Sequence, residues 1–158
     1  MSSLPHHELL RATARSFYLT LRVLPAAIRR QIGFAYLLAR ATDTIADTGT
    51  VPLDQRLDAL QKLGERIQGR NSTPLDLGGL AAKQGVVAER LLLEKIGSAL
   101  NDLQTFSPED QKRIRDVLAI ITGGQALDLT RFPSAPSADG SLPIVALETA
   151  TDLDDYTY

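Results

Sequence analysis

Residues 36–49, YLLARATDTIADTG, set Tyr36, Arg40, Asp43 and Asp47 into a run of Leu, Ala, Ile and Thr. At about 100° per residue these four side chains fall on one side of a helix, at successive offsets of about +40°, −60° and +40°. The other faces carry Ile32, Phe34, Leu37, Leu38, Ala39, Ala41, Ile45 and Ala46. A surface helix shows a broad polar face opposite an apolar stripe. This one is apolar nearly all round and polar along a single line, which predicts a buried helix whose polar line faces a cavity.

Outward from that stretch, helical spacing dominates and strand alternation is almost absent, so the pattern predicts an all-α fold. A first helix is expected over about 6–23, around Leu9, Leu10 and SFYLTLRVL. Pro25 suits the first turn of a long helix that runs through about Asp47, where Gly49 and Pro52 stop it. Leu53, Leu57, Leu60, Leu63 and Ile67 give a third helix one apolar stripe. GRNSTPLDLGG (69–79) reads as a loop. A fourth helix follows over about 86–104, with Leu91, Leu92, Ile96, Leu100 and Leu103. SPED (107–110) has the acceptor, proline and acids that open a fifth, running to about Arg131, with Gly123 and Gly124 as a place for close packing or a kink. PSAPSADGSLP (133–143) reads as a loop, and IVALETATDLDDYTY (144–158) as the start of another helix. No internal repeat or low-complexity tract interrupts the chain, and its 158 residues, 44% hydrophobic, are read as one all-α domain over 1–158.

The 17 basic and 19 acidic residues leave a formal charge of −2. A chain so balanced has no general attraction to nucleic acid, so any anionic ligand must be held by local chemistry. The absence of cysteine excludes disulfides, thiolate metal sites and cysteine nucleophiles. MSSLPHHELLRATAR lacks a signal-peptide pattern, and IGFAYLLA (32–39) is far short of the ~20 residues of a membrane span. The expectation is a cytoplasmic protein, in peripheral contact with a membrane where an apolar product is released.

Two carboxylates one turn apart in an apolar setting repel each other and lose hydration, so they stay ionised only beside a strong cation. Arg40 supplies part of that charge. Mg²⁺, with its oxygen-only ligands and its habit of sharing coordination with phosphate, would supply the rest. The same spacing also fits a ladder of ion pairs on a solvated face, and spacing alone does not choose between them. His6 and His7 are adjacent and do not face the same way on a helix. Arg29 and Arg30 read as a solvated face, Gln125 and Asp128 as cavity lining without a role. There is no GxGxxG or P-loop pattern.

The block ARSFYLTLRVLPAAIRRQIGFAYLLARATDTIADT (14–48), followed by the terminal DYTY (155–158), resembles the squalene and phytoene synthase family, which joins two prenyl diphosphates head to head. The resemblance implies an isoprenoid-synthase-type helical bundle in which Asp43 and Asp47 hold Mg²⁺ against the substrate diphosphate. It gives Tyr36 and Arg40 contacts to that diphosphate, makes Arg15 and Ser16 the early phosphate-contacting pair, and sets Phe17 in the pocket wall. Tyr156 matches the family tyrosine that handles a proton or stabilises a carbocation. Thr44, in DTIAD, is more like the squalene synthases. The implied reaction condenses two molecules of farnesyl diphosphate through presqualene diphosphate to squalene, with NADPH supplying the hydride. Phytoene or dehydrosqualene, formed without NADPH, is the alternative product.

Two departures bear on this. Ala14 stands where the family's first serine would be, which removes one hydroxyl donor. The sequence also ends at Tyr158, before a second aspartate-rich helix, so the expectation is an N-terminal part of a synthase domain whose metal is held from one side only. Asp152, Asp154 and Asp155 read as first-turn acids of the last helix rather than as a substitute. A truncated, non-catalytic helical module is therefore the competing reading, and it predicts exposed apolar surface. Hydrolysis of a diphosphate is a third, but it needs an open site and a base to position water, which the apolar helix argues against.

Overall fold

A computed structural model describes residues 6–132 and 147–157, excluding the side chains of residues 6, 7, 15, 16 and 155–157. Every regular element among the described residues is a helix: α1 (His6–Val23), α2 (Ala26–Asp47), α3 (Leu53–Gln68), α4 (Gly78–Ala81), α5 (Val87–Leu103), α6 (Pro108–Arg131) and α7 (Ala150–Thr157). The all-α expectation holds, and most helix limits fall where the caps and breakers place them.

The caps show why. Ser107 Oγ accepts the backbone N–H of Asp110 at 3.1 Å, with Pro108 opening α6. Gly69 ends α3 with φ +71°, and the next amide, Arg70 N–H, returns to Glu65 O at 2.9 Å. Only glycine takes that left-handed conformation without steric cost. At α7, Thr149 Oγ1 accepts from Asp152 N–H at 3.1 Å while Asp152 Oδ2 accepts from Thr149 N–H at 3.0 Å, a reciprocal capping box. The Thr149 bonds hold the Asp152 carboxyl below its ordinary range, and Arg131 pairs with it at 2.8 Å. Asp152 is thus a helix-opening acid.

Three expectations change. Pro25 does not lie inside the first turn; it precedes α2 in an extended conformation, and Pro52 does the same before α3. The loop read over 69–79 runs into the single turn α4, because Leu77, Leu80 and Ala81 bury there. Gly123 and Gly124 are neither a close approach nor a break: α6 continues through both, and a Cβ on either would meet nothing within 4 Å.

α2 is the central element, packed against α1, α3, α5 and α6, while α3 also packs on α6, α1 on α5 and α4 on α5. Its Leu37, Leu38 and Ile45 are fully buried with Leu63 and Ile67 of α3, Leu92, Ile96 and Leu103 of α5, and Leu118 of α6. Each such side chain contributes roughly 1.5–3 kcal/mol relative to leaving it in water. Thr42 and Thr44 of α2 and Thr48 at its C-cap are buried because each hydroxyl donates back to a carbonyl about one turn earlier, those of Ala39, Arg40 and Thr44 at 2.8, 2.8 and 2.6 Å. No described helix is long and apolar enough to cross a membrane.

Candidate functional site

Asp43 and Asp47, at one end of the polar line of α2, open on a cleft of about 370 Å³ between α2, α3 and α6, lined also by Ala46, by Arg56, and by Gln125, Asp128, Leu129 and Phe132, while Tyr36 and Arg40 lie outside that lining. The cleft is open: the Asp43 side chain keeps 42% of its exposure, and Arg40, outside the lining, keeps 31%. α2 is therefore buried on its apolar faces, while its polar line is half in water rather than sealed in a cavity. Gln125 and Asp128, read as cavity lining, do line it.

Arg40 is held from two elements. One terminal nitrogen pairs with Asp43 on the preceding-to-following turn of α2, and Nη2 donates to Glu89 Oε1 of α5 at 2.7 Å. Desolvation alone would lower the guanidinium pKa, but the Asp43 and Glu89 charges outweigh it and raise it, so Arg40 stays a cation. Asp47 moves the other way. Desolvation at the cleft wall and the neighbouring Asp43 charge push its carboxyl above the ordinary range, and Arg40 and Arg56 only partly oppose them. This end of the line is short of positive charge.

Upstream, the ring of Tyr36 stacks on Phe17 of α1, with centroids 4.1 Å apart and planes 15° from parallel. The fold thus brings together Phe17 and Tyr36, and Arg40, Asp43 and Asp47 further along the same helix. Arg15 and Ser16 are on α1, and Tyr156 is on α7; their side chains lie outside the described residues.

Glu89 and Arg56 were not singled out by the sequence. Glu89 sits in the first turn of α5, where an acid is already accounted for by the helix dipole. Arg56 interrupts the buried side of α3 and is itself buried, its Nη1 donating to Ala46 O at 2.7 Å. A charged residue in step with an apolar stripe was the available signal.

The donor set at the cleft is oxygen from Asp43, Asp47 and Asp128, with Gln125 Oε1, a buried acceptor without a hydrogen-bond partner. No three Asp, Glu, His or Cys side chains among the described residues stand close enough together to hold a metal ion. Two carboxylates, one of them resisting ionisation, with an orphaned carbonyl nearby fit Mg²⁺, which binds through one or two carboxylates and completes its shell with water and phosphate.

A family model described as squalene/phytoene synthase matches residues 10–158. The squalene synthase of Saccharomyces cerevisiae is 30% identical over 119 residues, 75% of this chain and 26% of that protein. That of Schizosaccharomyces pombe is 37% identical over 62 residues, 39% of this chain and 14% of that protein. That of Eremothecium gossypii is 24% identical over 152 residues, 96% of this chain and 31% of that protein. The chain spans less than a third of the length of these curated relatives. No solved structure matches it.

Proposed function

The chain belongs to the squalene/phytoene synthase family, and from that premise we propose that the α2 cleft binds a prenyl diphosphate with Mg²⁺ for head-to-head condensation, farnesyl diphosphate being the substrate. The observation that carries the reading is the polar line itself: Tyr36, Arg40, Asp43 and Asp47 lie along one side of an otherwise apolar helix, and its Asp43 and Asp47 end borders a cleft with Arg56 and Gln125.

In this reading Asp43 and Asp47 hold Mg²⁺, which supplies Lewis acidity to the leaving diphosphate. Arg40, already fixed by Asp43 and Glu89, presents a permanent positive charge without having to reorganise. Tyr36, held by its stack on Phe17, orients the diphosphate, and Arg15 and Ser16 add donors from α1. The allylic C–O bond breaks with its electron pair leaving on the diphosphate. The double bond of the second substrate then attacks the allylic cation, and loss of one proton closes the cyclopropane of presqualene diphosphate. Tyr156 is assigned to that proton, and apolar walls including Phe17 keep water from the cation. Squalene is the favoured product, on the likeness of Thr44 and on relatives that are squalene synthases. Its reductive step would take a hydride from NADPH.

A second reading, a diphosphate-binding helical module without turnover, is favoured by the sparse carboxylate set and by the exposed Leu19, Val23 and Ile120. Both readings are tested with a non-ionising thiolo analogue of farnesyl diphosphate, titrated calorimetrically with and without Mg²⁺. Binding should require Mg²⁺ and weaken about 10- to 100-fold in Asp43→Asn. Mg²⁺-independent binding untouched by Asp43→Asn and Asp47→Asn would remove the proposed site. Incubation with labelled farnesyl diphosphate, Mg²⁺ and NADPH then separates the two readings: squalene means an enzyme, binding without product means the module.

A further inference from the structure

Two residues that line the cleft each bury a polar atom without any hydrogen-bond partner: the Nε–H donor of Arg56 and the Oε1 acceptor of Gln125. Arg56 is only 7% exposed. Among the described residues its guanidinium, with five N–H donors, makes a single hydrogen bond, from Nη1 to Ala46 O at 2.7 Å. Burying a donor or an acceptor unpaired destabilises a fold, and native proteins rarely leave both in one place. The other orphaned atoms are apart from these: Gln31 lines a separate groove between α2 and α6, and Arg66 lies outside the cleft lining. Here the residues that carry them, Arg56 of α3 and Gln125 of α6, line the same cleft as Asp43 and Asp47.

The pair specifies what would satisfy it. A guanidinium N–H calls for an anionic oxygen, best of all a phosphate oxygen. A neutral carbonyl oxygen calls for an O–H donor or a cation. A hydrated magnesium diphosphate presents both kinds of group at once. Resting on the diphosphate reading above, we propose that Arg56 and Gln125 are additional positioning residues for the magnesium diphosphate head group, Arg56 Nε–H donating to a diphosphate oxygen and Gln125 Oε1 accepting from water that hydrates the cation. Arg56 also ties the end of α2 to α3 through Ala46 O, so the bound anion and the frame that carries Asp47 share one side chain.

The test uses the full 158-residue chain with Mg²⁺ and inorganic pyrophosphate, read by calorimetry and by thermal melting. Gln125→Met keeps the side-chain length and removes the unsatisfied acceptor. Without ligand it should melt at the wild-type temperature or above, yet lose about tenfold in pyrophosphate affinity in the presence of Mg²⁺. A merely structural glutamine would do the reverse, melting lower with affinity intact. Arg56→Lys keeps the charge but not the Nε donor and should lose at least about tenfold, measured where the variant is fully folded. Unchanged affinity in both variants, while Asp43→Asn abolishes binding, would overturn this inference and leave the diphosphate reading standing. Failure of the unmutated chain to bind pyrophosphate with Mg²⁺ would overturn both.

Discussion

Asp47 carries the clearest electrostatic signature of the polar line. Desolvation raises its pKa first, the Asp43 and Glu89 charges add to the rise, and Arg40 and Arg56 offset only part. With the folded pKa above the unfolded one, the folded state binds the Asp47 proton more tightly. The stability this group contributes is complete below the unfolded pKa and is lost as pH rises through the folded one. Asp47→Asn removes that loss. The metal-free variant should therefore melt above wild type at pH 7, by less than about 1 kcal/mol because solvent screens an exposed carboxylate. The gap should close as pH falls below about 4, where Asp47 is protonated in both states. A variant that melts lower at pH 7 would show that Asp47 is a structural anion. At this scale the sequence revealed half of the site. The Arg40–Asp43 pair is local and follows from helical spacing, and it realises the first rung of the ion-pair ladder. Glu89 lies 49 residues from Arg40, and no periodicity within α2 could have announced it.

The helices themselves were legible wherever a local signal set their ends: the Ser107 cap before α6, Gly49 and Pro52 past the end of α2, and Asp152 in the first turn of α7. α4 was not legible, because it exists through tertiary burial of Leu77, Leu80 and Ala81 in a stretch whose own composition favours a loop. Gly123 and Gly124 were misread for the opposite reason, since a glycine pair signals close packing only when something packs there. α6 leaves both exposed, with room for a side chain. Gly124→Ala should accordingly stabilise this chain by up to about 1 kcal/mol, through helix propensity alone, read as a higher urea midpoint with an unchanged slope. A lower midpoint would mean that another group approaches the position.

In the whole molecule, α2 is both the centre of the core and the carrier of the polar line, so stability and the proposed ligand binding are anchored on different faces of one helix. The apolar faces were readable from composition. A cavity beside the polar line, with Gln125 and Asp128 in its lining, was readable too, but the part of Arg56 was not, because α3 delivers it there by tertiary packing. This division makes the two properties separable by mutation. Leu38, fully buried, should cost about 2–5 kcal/mol when cut to alanine, a large part of the ~5–15 kcal/mol of a typical domain. It does not line the cleft. A ligand that binds only the folded chain stabilises it by about 2.7 kcal/mol at a concentration 100 times its Kd. Leu38→Ala should therefore melt far below wild type and still recover the full increment when Mg²⁺ and pyrophosphate are added. Asp43→Asn should melt near wild type and recover at most about half of it, about 1.4 kcal/mol for a tenfold and about 0.4 kcal/mol for a hundredfold loss of affinity. Loss of the increment in Leu38→Ala, with its apo form folded, would mean that core packing sets the geometry of the polar line, and that the two faces of α2 act as one.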